Sequence, residues 1–161
     1  MLVEDKTDLM CGGTIISKKH ILTAAHCFDS PSSLRPENWT VLVGSTERLK
    51  GSKYDVAAIK VHSGYDQKET DKYKECNNDI AVLLLKQKIE FGENIGAACL
   101  PTKPIEEYKG QSVTLSGWGD TAEGGPGSTI LQVLKGVTIT CNCFKRYVEN
   151  YIRTQQCLFL R

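Results

Sequence analysis

Short apolar runs recur along this chain at 13–17, 20–24, 39–44, 56–62, 80–85, 111–116 and 131–139, each bounded by Gly, Pro, Asn, Asp or Ser. Runs of that length and spacing read as strands separated by turns, and their rhythm predicts an antiparallel barrel or sandwich. In the fourth run Ile59 and Val61 alternate with Lys60 and His62, the period of a strand with one wet face. The fifth run, IAVLLL, is apolar throughout and reads as a strand buried on both sides. Repeats and low-complexity tracts are absent, which sets aside solenoids and collagen-like arrays.

One good helical pattern stands near the end. Phe144, Tyr147, Val148, Tyr151 and Ile152 share one face of a predicted surface helix over 144–153. The polar, Pro-containing stretch 101–110 is the natural connection between two lobes, 1–100 and 111–161. The mixed-charge stretch 66–75 reads as a solvated loop.

A chain of 161 residues can hold one ordinary domain or two very small ones. With 40% hydrophobic and 24% charged residues it belongs to neither the disordered nor the membrane class. No stretch approaches membrane-spanning length. The 20 Lys and Arg nearly cancel the 19 Asp and Glu, so no global field points to nucleic acid or anionic lipid. Seven cysteines suit an extracellular chain better than a reducing compartment. The first residues, MLVEDKTDLMCGG, carry no signal peptide, so the front of a secreted chain is expected to be missing. An odd cysteine count leaves at least one thiol without an internal partner.

The run 20–24 ends in HILTAAHC, where two small alanines leave room for a sharp turn that projects His26 from the strand end. Cys11 and Cys27 are far enough apart in the chain for a bridge between them to stabilise by about 3 kcal/mol and to fix that turn. For chemistry, His26 needs a carboxylate on one ring nitrogen and a nucleophile on the other. Asp79, at the mouth of the apolar run in NNDIAVLLL, is the obvious carboxylate. A zinc site on Cys11, His26 and Cys27 lacks the usual ligand spacing. Asn38-Trp39-Thr40 fits the N-glycan acceptor pattern, which needs an exposed asparagine.

The words CGGTIIS, LTAAHC, NNDIAVLLL, AACLP and SGWGDT, in that order, resemble the chymotrypsin-type, trypsin-like serine endopeptidases. The resemblance implies an all-β fold of two six-stranded antiparallel barrels with the active site between them. The first barrel would fill 1–100 and the second would be incomplete within 111–161. His26 would match the general base and Asp79 the carboxylate that holds its tautomer, the roles of a Ser-His-Asp triad. It also implies a Cys11–Cys27 bridge, and a Cys143–Cys157 bridge around the predicted helix. Cys76, Cys99 and Cys141 remain as an odd set: Cys99 matches a position that in many relatives links to an activation peptide or another segment, and Cys76 is not a usual family position. His20 and His62 match no functional position. A secreted location, polypeptide substrates or inhibitors as partners, and no cofactor or metal complete the expectation.

The family's nucleophile sits in a Gly-Asp-Ser-Gly-Gly word, which these 161 residues do not contain. Ser128, in EGGPGS, matches a surface loop instead. The match breaks off at Leu158, and the Ile-Val-Gly-Gly start of an activated enzyme is also lacking. The expectation is therefore an inactive fragment or truncated product of a secreted serine endopeptidase. The alternative is a non-catalytic homologue that binds as a decoy or cofactor in a protease cascade, with a partner chain covering the open second barrel.

Overall fold

The computed structural model describes residues 1–4, 10–65, 78–108 and 110–138. Its organising strand is β6 (Ser52–Val61), preceded in the chain by β1 (Leu2–Glu4), β2 (Met10–Cys11), β3 (Thr14–Ile15), β4 (His20–Thr23) and β5 (Trp39–Val43), and followed by β7 (Ala81–Leu85). The first half of β6 pairs antiparallel with β5, from Val43–Ser52 to Thr40–Asp55, and the second half with β7, from Val56–Leu85 to Val61–Ala81. The register shifts between Val56 and Ala58, a bulge that bends the strand and lets it serve both halves.

The full order is β2-β1-β5-β6-β7-β4-β3. Its two edges, β2 and β3, are consecutive in the chain and separated only by Gly12 and Gly13. The three Cα steps from Cys11 to Thr14 span about 11 Å at most, so the sheet must curl until its edges nearly meet. Gly13 makes the approach possible. A Cβ there would lie 2.6 Å from Leu2 Cδ1 of β1 and 2.8 Å from Ile21 Cγ2 of β4.

Inside the curl, Leu2, Ile21, Val41, Val56, Leu83, Leu85 and Ile89 are fully buried around Trp39. The Trp39 ring meets Phe28 edge-on at 5.0 Å, and its Nε1–H donates to Ser33 O at 2.6 Å. Aromatic packing plus a satisfied indole N–H makes this a firm anchor for the segment around Phe28.

A second sheet of two antiparallel strands, β8 (Ser112–Gly117) and β9 (Gln132–Thr138), follows. Loop 46–48 of the first sheet holds it: Thr46 O accepts from Leu131 N and from Trp118 Nε1, both at 2.8 Å, and Arg48 N donates to Thr129 O at 2.8 Å. Val133 and Leu134 on β9 are 53% and 61% exposed.

The architecture is all-β, as the rhythm of short runs predicted, and every predicted run contains a strand. The first sheet counts seven strands because the Gly12–Gly13 corner divides one stretch of chain into β2 and β3, which lie at the two edges. β1 and β2 were not foreseen. The reading of 80–85 as buried on both faces is corrected: Ala81, Leu83 and Leu85 are buried while Leu84 is exposed, because only one face of the curled sheet looks into the core. Stretch 101–110 holds a 3-10 turn, Ile105–Tyr108, with a Lys103 Nζ–Glu107 Oε2 ion pair of 2.9 Å. The predicted helix at 144–153 and the Cys143–Cys157 bridge lie outside the described residues, as do Cys76 and Cys141. No helix among the described residues is long and apolar enough to cross a membrane.

Candidate active site

The end of β4 and the start of β7 are antiparallel neighbours, with Thr23 opposite Ala81. Whatever follows Thr23 and precedes Ala81 therefore meets at one rim of the sheet. After Thr23, Ala24 is still extended (φ −90°, ψ 152°), and the 3-10 turn Ala25–Phe28 begins at once. Ala24 and Ala25 are both buried, so larger side chains would not fit the bend. Three contacts fix the turn. Cys27 is bonded to Cys11 with their Cα atoms 6.4 Å apart, Thr23 Oγ1 donates to Gly12 O at 2.9 Å, and Phe28 packs on Trp39. His26 is the member of the turn left pointing outward.

On the facing strand, Asn78 adopts φ +61°, a left-handed conformation that asparagine tolerates better than most residues. Ile80 N then donates to Asn78 O at 2.7 Å, closing a tight turn with Asp79 at its apex.

The two side chains meet. His26 Nδ1 lies 2.7 Å from Asp79 Oδ2, and the backbone N–H of His26 donates to Asp79 Oδ1 at 2.9 Å. Both carboxylate oxygens thus accept from His26, one from its ring and one from its backbone. An ionised carboxylate only accepts, so Nδ1 carries the proton and the neutral ring keeps its lone pair on Nε2. Among the described residues Nε2 has no hydrogen-bond partner. The ring side chain is 45% exposed and the carboxylate 21%.

The hydrogen bond to Asp79 raises the His26 pKa above its ordinary 6.5, outweighing the opposing effect of burial, with the Asp79 and Asp29 charges adding to the rise. For Asp79, burial pushes upward, but the bond from the His26 ring, the backbone N–H groups of His26 and Ala25 and the ring charge together hold it below 3.8. Such a pair can take a proton at Nε2 and return it, with the tautomer fixed from behind.

The other sequence candidates sit elsewhere. His20 Nδ1 pairs with Ser17 Oγ at 2.8 Å within its own turn, and His62 Nδ1 accepts from Gly64 N at 3.1 Å. Ser128 Oγ donates to Ile130 O at 2.6 Å and serves the turn before β9. Cys99 is a free, exposed thiol. Asn38 is only 4% exposed and its amide donates to Ser32 O at 2.9 Å. That engagement counts against the glycan expectation, which required an exposed asparagine. Cys11, His26 and Cys27 offer ligand atoms within 4.8 Å of one another, but the two sulfurs are spent on the disulfide and a metal needs thiolates.

Sequence reasoning missed the residues that brace the pair. Tyr65 Oη donates to Asp29 Oδ1 at 2.9 Å, and Asn78 Nδ2 donates to Gly64 O at 2.9 Å. The Asn77-Asn78 doublet is a turn signal that pointed to the second. Nothing in the linear order signals the first.

Against known proteins, a family model described as Trypsin matches residues 1–160. The chain belongs to the trypsin family. Over 161 residues it is 33% identical to "Venom serine protease 34" of Apis mellifera, an alignment covering 95% of this chain and 38% of that relative. Over 138 residues it is 30% identical to "Venom serine protease" of Polistes dominula, covering 81% of this chain and 47% of the relative. The chain thus spans less than half the length of either. Membership in the trypsin family accords with the all-β curled sheet, and the His26–Asp79 pair lies at one rim of that sheet.

Proposed function

We propose that this chain carries the proton-handling part of a secreted serine endopeptidase, with His26 as general base and Asp79 as the carboxylate that orients it. The observation supporting this reading is the double hold of Asp79 on His26, at the ring (2.7 Å) and at the backbone (2.9 Å), which leaves Nε2 facing outward. In the reaction, Nε2 takes the proton of a serine hydroxyl as that oxygen attacks the scissile carbonyl. The ring then returns the proton to the leaving amine, and the cycle repeats with water to release the acyl group. Asp79 stays ionised throughout and steadies the imidazolium. The substrates are polypeptides, and the names of the venom relatives support an extracellular setting.

The serine itself is assigned to a Gly-Asp-Ser-Gly-Gly word, which these 161 residues lack. On their own they are therefore expected to hydrolyse no peptide, and residues 1–100 and 111–161 are read as two lobes. A fluorophosphonate probe tests this. The 161-residue chain is expected to remain unlabelled, whereas a longer product that carries a Gly-Asp-Ser-Gly-Gly word is labelled at that serine. Its labelling rate falls by about 10⁴-fold or more when His26 is replaced by alanine. Stoichiometric labelling of the 161-residue chain, or labelling of the longer product indifferent to His26, overturns the assignment.

A further inference from the structure

His26 and Asp79 are separated by 53 positions, and a 2.7 Å bond between them survives only if both of their segments are fixed against each other. The disulfide fixes the first segment to β2. The second is held from a different place, the turn 62–65 that follows β6.

That turn is built by its own contacts. His62 N donates to Ile80 O at 3.0 Å, the first link to the Asp79 segment, and Tyr65 N donates back to His62 O at 3.1 Å. Gly64 N donates to His62 Nδ1 at 3.1 Å, which turns the Gly64 carbonyl toward Asn78 Nδ2 at 2.9 Å. From the other end of the turn, Tyr65 Oη reaches Asp29 Oδ1 at 2.9 Å, and Asp29 is the residue that closes the 3-10 turn carrying His26. One turn therefore grips the residue before the acid and the residue that ends the base's turn.

We infer that turn 62–65 is a clasp across the site, and that Tyr65 and Asn78 are positioning residues that set the His26–Asp79 geometry without touching substrate. Asn78 acts twice: its side chain donates to the clasp, and its left-handed backbone aims Asp79. Tyr65 acts through Asp29, whose held carboxylate adds to the negative field on the imidazole. Among the described residues, Asp79 and Asp29 are the charged groups acting on the ring. The inference rests on the base–orienter reading, since without that pairing there is no geometry to set. Misplacement of an ångström is enough to matter, because catalytic alignment tolerates little error.

The test uses nuclear magnetic resonance of the His26 ring in the 161-residue chain, which needs no catalytic turnover. In the native chain the Nδ1–H is protected from exchange, and Asp79→Asn abolishes that protection. Tyr65→Phe keeps the ring and removes only the hydroxyl. Asn78→Gly keeps access to the left-handed backbone and removes the amide. Each is expected to speed Nδ1–H exchange about 5-fold, the factor an ordinary hydrogen bond is worth, and to lower the His26 titration midpoint. Asp29→Asn, which still accepts from Tyr65, lowers the midpoint while retaining the protection. Backbone exchange in β4 and β7 stays unchanged in all three, which separates positioning from general loosening. If Asp79→Asn abolishes protection while Tyr65→Phe and Asn78→Gly leave both exchange and midpoint native, the clasp is overturned and the base–orienter pair stands. If Asp79→Asn leaves the signal untouched, the pair falls and takes the clasp with it.

Discussion

The Asp79 carboxylate is held by the His26 ring and by the backbone N–H groups of His26 and Ala25, and the direction of each pKa shift follows from those bonds. His26 is raised above 6.5 in the fold, so the stability it contributes is fully present below 6.5 and is lost as pH rises through its folded value. Asp79 is lowered below 3.8, so its contribution is fully present above 3.8 and is lost as pH falls through its folded value. The pair thus supports the fold most between 3.8 and 6.5, the interval in which both partners are charged when folded. Urea midpoints of the native chain and of Asp79→Asn should differ most near pH 5, and less at pH 3 and pH 9. A gap independent of pH would mean that the ion pair contributes nothing beyond shape. The same raised imidazole has a consequence for the proposed chemistry: the base form of His26 builds up only at higher pH than for a free histidine, so under the proposed function base catalysis would climb later on the alkaline side.

Single contacts hold only where the elements beneath them are rigid, and two devices dominate here. The Cys11–Cys27 bridge closes a loop of separation 16 between β2 and the His26 turn. Replacing both cysteines by serine should cost about 3 kcal/mol, chiefly by freeing the unfolded chain, and shows as a lowered denaturation midpoint. In the turn between β5 and β6, Gly51 has φ +106° and a Cβ would press on the Val43 carbonyl. Gly51→Ala is expected to cost roughly 1–3 kcal/mol by thermal unfolding, with the His26–Asp79 signals intact in the fraction still folded. The elements themselves differed in how plainly the chain announced them. β5 and β7 stood out because Val, Leu and Ile run to a turn residue at each end. β1 did not, since it is three residues long and buries Glu4, a residue that reads as polar. Leu84 deceived for the opposite reason: apolarity along a strand does not say which of its faces has a cover. His26 and Asp79 could be named because each sits where a run starts or stops, within words that resemble a family. Tyr65 and Asp29 could not, because their meeting is made by two loops whose approach only the finished sheet determines.

Taken together, the described residues form a curled sheet of seven strands with a buried core, and a ribbon of two strands attached to it through loop 46–48. A two-strand ribbon is marginal alone, and β9 exposes Val133 and Leu134, so it draws little support from apolar burial. Its stability must come largely from the attachment, of which the Trp118 Nε1 to Thr46 O bond is one strand and the two backbone bonds at Thr46 and Arg48 the others. The two sheets should accordingly open as separate units in hydrogen exchange. Amides of β8 and β9 are expected to exchange faster than those paired between β4, β6 and β7, whose side chains fill the core. Trp118→Phe removes one donor worth about 1 kcal/mol and should speed exchange in β8 and β9 about 5-fold, leaving β4 and β7 as they were. Equal acceleration in both sheets would show one cooperative unit instead, and the His26–Asp79 rim would then share its fate with the ribbon.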